Sequence, residues 1–299
     1  MSLTCVKDPV IIAGVPRSGT TLVSQCLRMA GLFLGINVQK DLESLFFFPL
    51  NEKILKQANA GWDNPAPLKY LIENSDALRM TAQCLETDLL SPKIRRYLGL
   101  RRYMRYRSIE KFDEPWGWKD PRNVLTLPIW LELFPRARVI YIVRNGIDVA
   151  NSLTVRANER LGRSTMEHGA RRRKGAFRST LQRAGFKGSA RCLRLERSFS
   201  LWEEYLSRAD EILAGSNIHH IIIKFEDLLC QPEKHLSELV KFSGLDEPNE
   251  TQMHAISSVV NPKRANAFAL NENLKSFHEQ VRSNFWMRKY GYSSKDKGG

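Results

Sequence analysis

Residues Val10 to Leu22 constrain this chain more than any other stretch. Val10-Ile11-Ile12-Ala13 is an unbroken apolar run, the pattern of a strand covered on both faces. Gly14 and Gly19 bracket a turn that holds Arg17 and Ser18. Thr20 and Thr21 follow, and Leu22, Cys26, Leu27 and Ala30 fall at helical spacing. A strand, a glycine-bracketed loop and a helix start make an anion site. The first N–H groups of the helix point outward, and its dipole favours negative charge. The spacing from Gly14 to Gly19 is that of a P-loop, G-x-x-x-x-G-K-[ST], but Thr20 stands where the Lys belongs. The basic residue has moved into the loop as Arg17. The stretch therefore predicts a phosphate cradle without the Lys that reaches the terminal phosphates of ATP.

The rest of the chain supplies partners for that strand. Gly31 to Gly35 is a short apolar piece returning toward the sheet. Asp41 to Ala58 reads as a helix, from Leu42, Leu45 and Phe46 with acidic residues near its start. Residues 68–107 are mostly helical in pattern and end in the basic run Arg95 to Arg107. Trp116 to Lys119 reads as a short strand stopped by Pro121, and a helix runs from about Leu125 to Phe134. Arg138 to Val143 is a second apolar strand, with a helix beginning near Asp148. Further helices are expected from Phe199 to Leu213 and from Pro232 to Phe242, and a strand from His220 to Phe225. Strands alternating with helices predict an α/β fold: a P-loop-type three-layer arrangement, its central, mostly parallel sheet flanked by helices.

At 299 residues the chain reads as a single domain. The stretch 156–197 stands apart from it. It carries 13 Lys or Arg against three Glu, ten of the chain's formal net charge of +14, and reads as a basic surface insertion. The polar end from about Ser293 reads as a flexible tail. Such a charge selects anionic partners. Phe177 and Phe186 are the only rings in the segment, which argues against specific nucleic-acid binding. Contact with an acidic polymer is the remaining partner reading. No apolar run is long enough to span a bilayer. The five cysteines are scattered, with neither zinc spacing nor a disulfide framework, and a cytoplasmic setting is the simplest expectation. No metal-ligand spacing is present.

Two motifs together resemble one family. Pro16-Arg17-Ser18-Gly19-Thr20-Thr21 is similar to the 5′-phosphosulfate loop of sulfotransferases that use 3′-phosphoadenosine 5′-phosphosulfate (PAPS). Arg144-Asn145-Gly146-Ile147-Asp148-Val149-Ala150-Asn151-Ser152 resembles their 3′-phosphate motif, in which a strand-end Arg and a Ser eight positions later hold that phosphate. The resemblance spans most of residues 10–250. It implies that Arg17 meets the leaving-group oxygens, and that Ser18, Gly19, Thr20 and Thr21 hold the 5′-phosphate. It further implies that Arg144 and Ser152 hold the 3′-phosphate, with 3′,5′-adenosine bisphosphate (PAP) as product. Lys119 resembles the family's second lysine, which touches the sulfuryl oxygens.

The general base has three candidates. Pro121 occupies the place of the His found in the cytosolic aryl and steroid members, so that base is absent. The glycan-type members use a Glu on the helix after the first loop-helix unit, and Glu43 fits that placement. Asp41 and Asp120 are the alternatives. The acceptor implied is a hydroxyl or amine, on a carbohydrate or similar alcohol. Two competing functions stay open at this point: a P-loop small-molecule kinase, and a non-catalytic polyanion-binding protein on the same fold.

Overall fold

A computed structural model describes residues 2–173, 186, 188–215 and 218–293. In chain order, β1 is Val10–Gly14, α1 Thr20–Met29, α2 Phe47–Gln57, α3 Leu68–Glu73, α4 Ser75–Leu90 and α5 Arg95–Tyr106. Then come β2 Gly117–Lys119, α6 Asn123–Leu133, β3 Arg138–Val143, α7 Gly146–Arg173 and α8 Leu195–Ala214. The chain closes with β4 His220–Lys224, α9 Phe225–Cys230, α10 Pro232–Phe242, α11 Glu250–Ser257, α12 Glu272–Val281 and α13 Phe285–Lys289. The chain divides into two compact units. Residues 1–145 with 204–267 form one, and residues 146–203 with 268–299 the other.

The first unit holds a four-stranded parallel sheet in the order β2-β1-β3-β4. Gly14 is level with Ile142, Ile12 with Lys119, and Val143 with Lys224. Strand residues alternate between the two faces. On one face Val10, Ile12, Ile140, Ile142 and Ile223 share a core with Val23 and Leu27 of α1, Leu228 of α9, Leu236 and Leu239 of α10 and Ile256 of α11. On the other face lies α6, which is apolar nearly all round and correspondingly buried. Its Trp130 and the Trp118 of β2 meet the ring of Phe47 on α2. Phe47 stacks on Trp118 at 4.2 Å between centroids and 5° between planes. The expected α/β fold with a parallel sheet between helices is the one observed.

The helix expected over Asp41 to Ala58 is shorter than that. Only Phe47–Gln57 is helical. Residues 38–44 form a tight hairpin instead, closed by an antiparallel bridge between Val38 and Ser44. Gln39 N donates to Glu43 O at 2.8 Å, Leu42 N donates to Gln39 O at 2.9 Å, and Leu42 takes a left-handed φ of 65°. The Ser44 hydroxyl accepts from the backbone N–H of Phe46 and Phe47, so the helix starts after it.

In the second unit, the opening of α7 packs tightly. A Cβ on Gly146 would come within 2.8 Å of the Phe199 and Trp202 rings of α8. Asp148 Oδ1 accepts from Phe268 N at 2.8 Å, and the hydroxyls of Thr154 and Ser198 are 2.9 Å apart. The basic segment begins as plain helix, because α7 continues through it to Arg173. The remainder of that segment lies partly outside the described residues, as does the tail from 294. Among the described residues, no helix is long and apolar enough to cross a membrane.

Candidate active site

In open α/β sheets, ligands bind beyond the carboxyl ends of the strands, where neighbouring strands leave in opposite directions. Here that place is β1, flanked by β2 on one side and β3 on the other. Four strand ends converge on it: Gly14, Lys119, Val143 and Lys224.

The loop after β1 is shaped by its two glycines. A Cβ on Gly14 would fall 2.6 Å from Ser18 Oγ and 2.8 Å from Ile142 O, so only glycine fits. Gly19 has φ 100°, and a Cβ there would enter the ring of Phe225. Phe225, at the end of β4, thus closes the loop from below. Arg17 also takes a left-handed φ, 78°, and its side chain is exposed. Gly19 is the N-cap of α1 and offers no side chain to it. Among the described residues, no protein acceptor takes the N–H of Gly19, Thr20 or Thr21. The Ser18 hydroxyl is fully buried and has no partner there either. Buried polar groups are normally satisfied. A cluster of donors left open at a helix start fits an anion.

On the β2 flank, Lys119 and Glu43 form a buried pair. Lys119 is 2% exposed and Glu43 8%. Lys119 Nζ lies 3.1 Å from Glu43 Oε1 and donates to Asp41 O at 2.9 Å. The backbones of Glu43 and Lys119 are themselves bridged, so the hairpin docks on the free edge of β2. Thr21 Oγ1 donates to the same Asp41 carbonyl at 3.3 Å. One oxygen therefore joins the phosphate-loop helix, the hairpin and the strand-end lysine. Burial raises the Glu43 pKa above the ordinary carboxylate value. Lys119 pulls it back, and Asp120 and Asp41 add to the rise.

On the β3 and β4 flank stands Arg144. Its guanidinium lies over the Phe225 ring at 4.8 Å. Nη1 donates to Arg17 O and Nη2 to Arg264 O, each at 3.2 Å. Arg264 reaches this site through its carbonyl, and its own side chain is exposed. Glu226 Oε1 accepts from Asn145 N at 3.0 Å, which ties the ends of β3 and β4 together.

A family model described as the sulfotransferase family matches residues 9–249. The chain belongs to that family. Similar solved structures include a sulfotransferase domain from the curacin biosynthetic pathway, 18% identical with a TM-score of 0.48. That match covers 93% of this chain and 98% of the other. Another is a sulfotransferase from Alicyclobacillus acidocaldarius, 14% identical with a TM-score of 0.43, covering 87% of this chain and 95% of the other. No curated protein matches significantly.

One of the expected site residues has other work in this sulfotransferase. Asp120 is 1% exposed. It accepts from Arg122 through both oxygens, at 2.7 to 3.2 Å, and from Asn51 Nδ2 at 2.9 Å. Its lone pairs are committed, which removes the freedom a base needs. Arg122 forms an ion pair with Asp120 and lies over the Phe48 ring. Ser152 sits half-buried on α7, in the second unit. Glu43 is on a bridged extended segment rather than a helix start, so it does not serve the helix dipole.

Asn51 was hidden from sequence reasoning. Its amide donates to Asp120 and to Asn123 Oδ1, and its oxygen accepts from Thr126 and Trp130. It fixes the turn that follows Lys119. A lone polar residue on the apolar face of an otherwise amphipathic helix was the available signal.

Proposed function

We propose that this sulfotransferase moves a sulfuryl group from PAPS to a hydroxyl or amine of an acceptor, a carbohydrate or similar alcohol, with Glu43 as the base. The observation that carries the reading is the buried Glu43–Lys119 pair beside a phosphate loop with open donors. The residues present suit the donor. The N–H groups of Gly19 to Thr21 and the Ser18 and Thr20 hydroxyls would hold the 5′-phosphate. Arg144, stacked on Phe225, would take the 3′-phosphate. Arg17, exposed in the loop, would meet the leaving-group oxygens. When bound, the donor supplies the sulfuryl group itself.

The protein's own part is electrostatic and acid–base. Fixed donors aimed at developing charge stabilise the transition state without reorganising. Glu43 accepts the acceptor's proton. Its raised pKa makes it a better base than an exposed carboxylate. Lys119 favours the ionised form of Glu43 against the effect of burial, and its remaining N–H would serve the sulfuryl oxygens. Loss of the proton to Glu43 neutralises the carboxylate. Lys119 would then be less tightly held by it, while the charge that grows on the leaving phosphate oxygen would be met by the loop donors and Arg17.

Thermal shift with PAP and with magnesium-ATP tests the donor. Stabilisation by PAP supports the reading; stabilisation by ATP alone points to a kinase. PAP binding without transfer to any acceptor in a broad panel would leave the polyanion-binding alternative. In that case the basic segment 156–197 becomes the surface to probe with an acidic polymer.

A further inference from the structure

An open cleft of about 520 Å³ lies beside the phosphate loop. Thr21, Gln25, Arg28 and Met29 of α1 form one wall, and Lys40 and Leu42 of the 38–44 hairpin form the other. We propose that this cleft is an acceptor subsite that selects an anionic group, a carboxylate or a sulfate ester, on the molecule to be sulfated. The inference deepens the proposed function and rests on it.

Three observations carry it. First, the polar lining is unbalanced. Arg28 and Lys40 bring two positive charges and no acidic side chain lines the cleft. Asp41 is next to Lys40 at the hairpin tip but is not part of the wall. Gln25 and the Thr21 hydroxyl add neutral polar groups, while Met29 and Leu42 give an apolar patch for the face of a sugar ring.

Second, the sheet order separates the two substrates. Arg144 and Phe225 stand on the β3 and β4 side of β1, and Lys119 stands on the β2 side. Donor phosphates belong with Arg144, so the room beside the hairpin falls to the acceptor. The volume is in the range of small-ligand sites and accommodates a mono- or disaccharide.

Third, the cleft is wired to the base. Thr21, in its wall, donates to Asp41 O, and Lys119 Nζ donates to the same oxygen and to Glu43. The hairpin is held in shape by Leu42 at φ 65°. Such a conformation persists only where the surroundings enforce it. Here it sets Lys40 and Leu42 on the cleft while turning Glu43 back onto the strand edge. On this proposal a group anchored on Arg28 and Lys40 would bring a neighbouring hydroxyl toward Glu43, the residue after Leu42 in the chain.

Calorimetry with two probes differing in one carboxylate tests this: 4-nitrophenyl β-D-glucuronide and 4-nitrophenyl β-D-glucoside. Each is titrated into the full chain, with and without saturating PAP. The glucuronide is expected to bind about tenfold tighter or more, the size of a charge-assisted contact. In the double variant Arg28→Gln, Lys40→Gln that preference is expected to vanish with PAP affinity unchanged. Both residues are exposed, so the variant retains its fold. Equal binding of the two probes, no binding of either, or a preference that survives in the variant overturns the inference. Failure of PAP to bind the native chain would instead sink the donor assignment. The titrations without PAP still judge the cleft.

Discussion

Lys119 and Glu43 are 76 positions apart in the chain, yet their charged atoms lie 3.1 Å from each other and both side chains are buried. Each makes the other tolerable away from water. Glu43 alone would be driven toward its neutral form, and Lys119 alone would lack a counter-charge.

Glu43→Gln keeps the shape and removes the base. PAP affinity is expected to stay within about twofold, while kcat falls by roughly 10²–10⁴, the usual weight of a positioned general base. Steady-state rates beside PAP titrations separate the two. Full turnover in this variant moves the proton acceptor to Asp41.

The pH dependence follows from the direction of the Glu43 shift. The base must be ionised, so kcat/KM rises with pH through a pKa above the ordinary carboxylate value of 4.5. Stability runs the opposite way. A carboxyl whose folded pKa is raised binds its proton more tightly in the native state. Its stabilising contribution is full below the unfolded pKa and is lost as pH rises through the folded one. Glu43→Gln should flatten that part of the stability curve. A profile identical to the native one would assign the ionisation elsewhere.

Lys119→Ala leaves a buried carboxylate without its cation. Breaking such a pair costs about 3–5 kcal/mol as an order of magnitude. Denaturant unfolding should show the loss, and the Glu43 pKa should climb further. Lys119→Ala combined with Glu43→Gln removes the stranded charge and should recover part of the stability. An additive double variant argues against coupling.

Gly19→Ala places a methyl group in the Phe225 ring at a backbone φ of 100°. The expected result is a cost of about 1–2 kcal/mol for the backbone alone and a sharp loss of PAP binding as the loop is displaced. Phe225→Ala in the same chain gives the methyl group room. It should restore part of the binding if the clash, rather than the φ, dominates.

Arg144→Lys tests the second anion site. A lysine keeps the charge but cannot span the Arg17 and Arg264 carbonyls while lying flat on Phe225. Weakening of PAP binding by about tenfold is expected, close to that of Arg144→Ala. Isothermal titration measures it, and wild-type affinity in the lysine variant rules out the planar role.

Where local pattern and tertiary packing agreed, the sequence was readable. Arg138–Val143 is a strand with the expected bounds, because an apolar run of that length bounded by charge has few other uses. The Gly14–Gly19 loop was legible because a close backbone approach leaves glycine as the only residue that fits. The hairpin was not. Leu42, Leu45 and Phe46 fall at helical spacing, and nothing local announces a left-handed Leu42. Beside its local bonds the hairpin is pinned by Lys119, which arrives from far along the chain. Ser44 was the one local hint, a hydroxyl placed to receive the first N–H groups of α2. The surroundings of Asp120 were not legible either. Besides its neighbour Arg122, it is bonded by Asn51, which comes from α2, 69 positions away.

The strand order has a consequence for how the protein comes into being. β1 is made first, yet its two neighbours in the sheet end at residues 119 and 143. A chain growing from its N-terminus carries the phosphate loop long before anything can hold it. Until β2 emerges, an apolar strand with both edges unpaired waits in a nascent chain, and one edge stays open until β3 is complete. Pairings this distant fold slowly and leave such edges open to other chains meanwhile. Fragments ending before Arg138 should therefore aggregate rather than bind nucleotide, and production of the protein should depend on conditions that shield β1 until its second neighbour emerges.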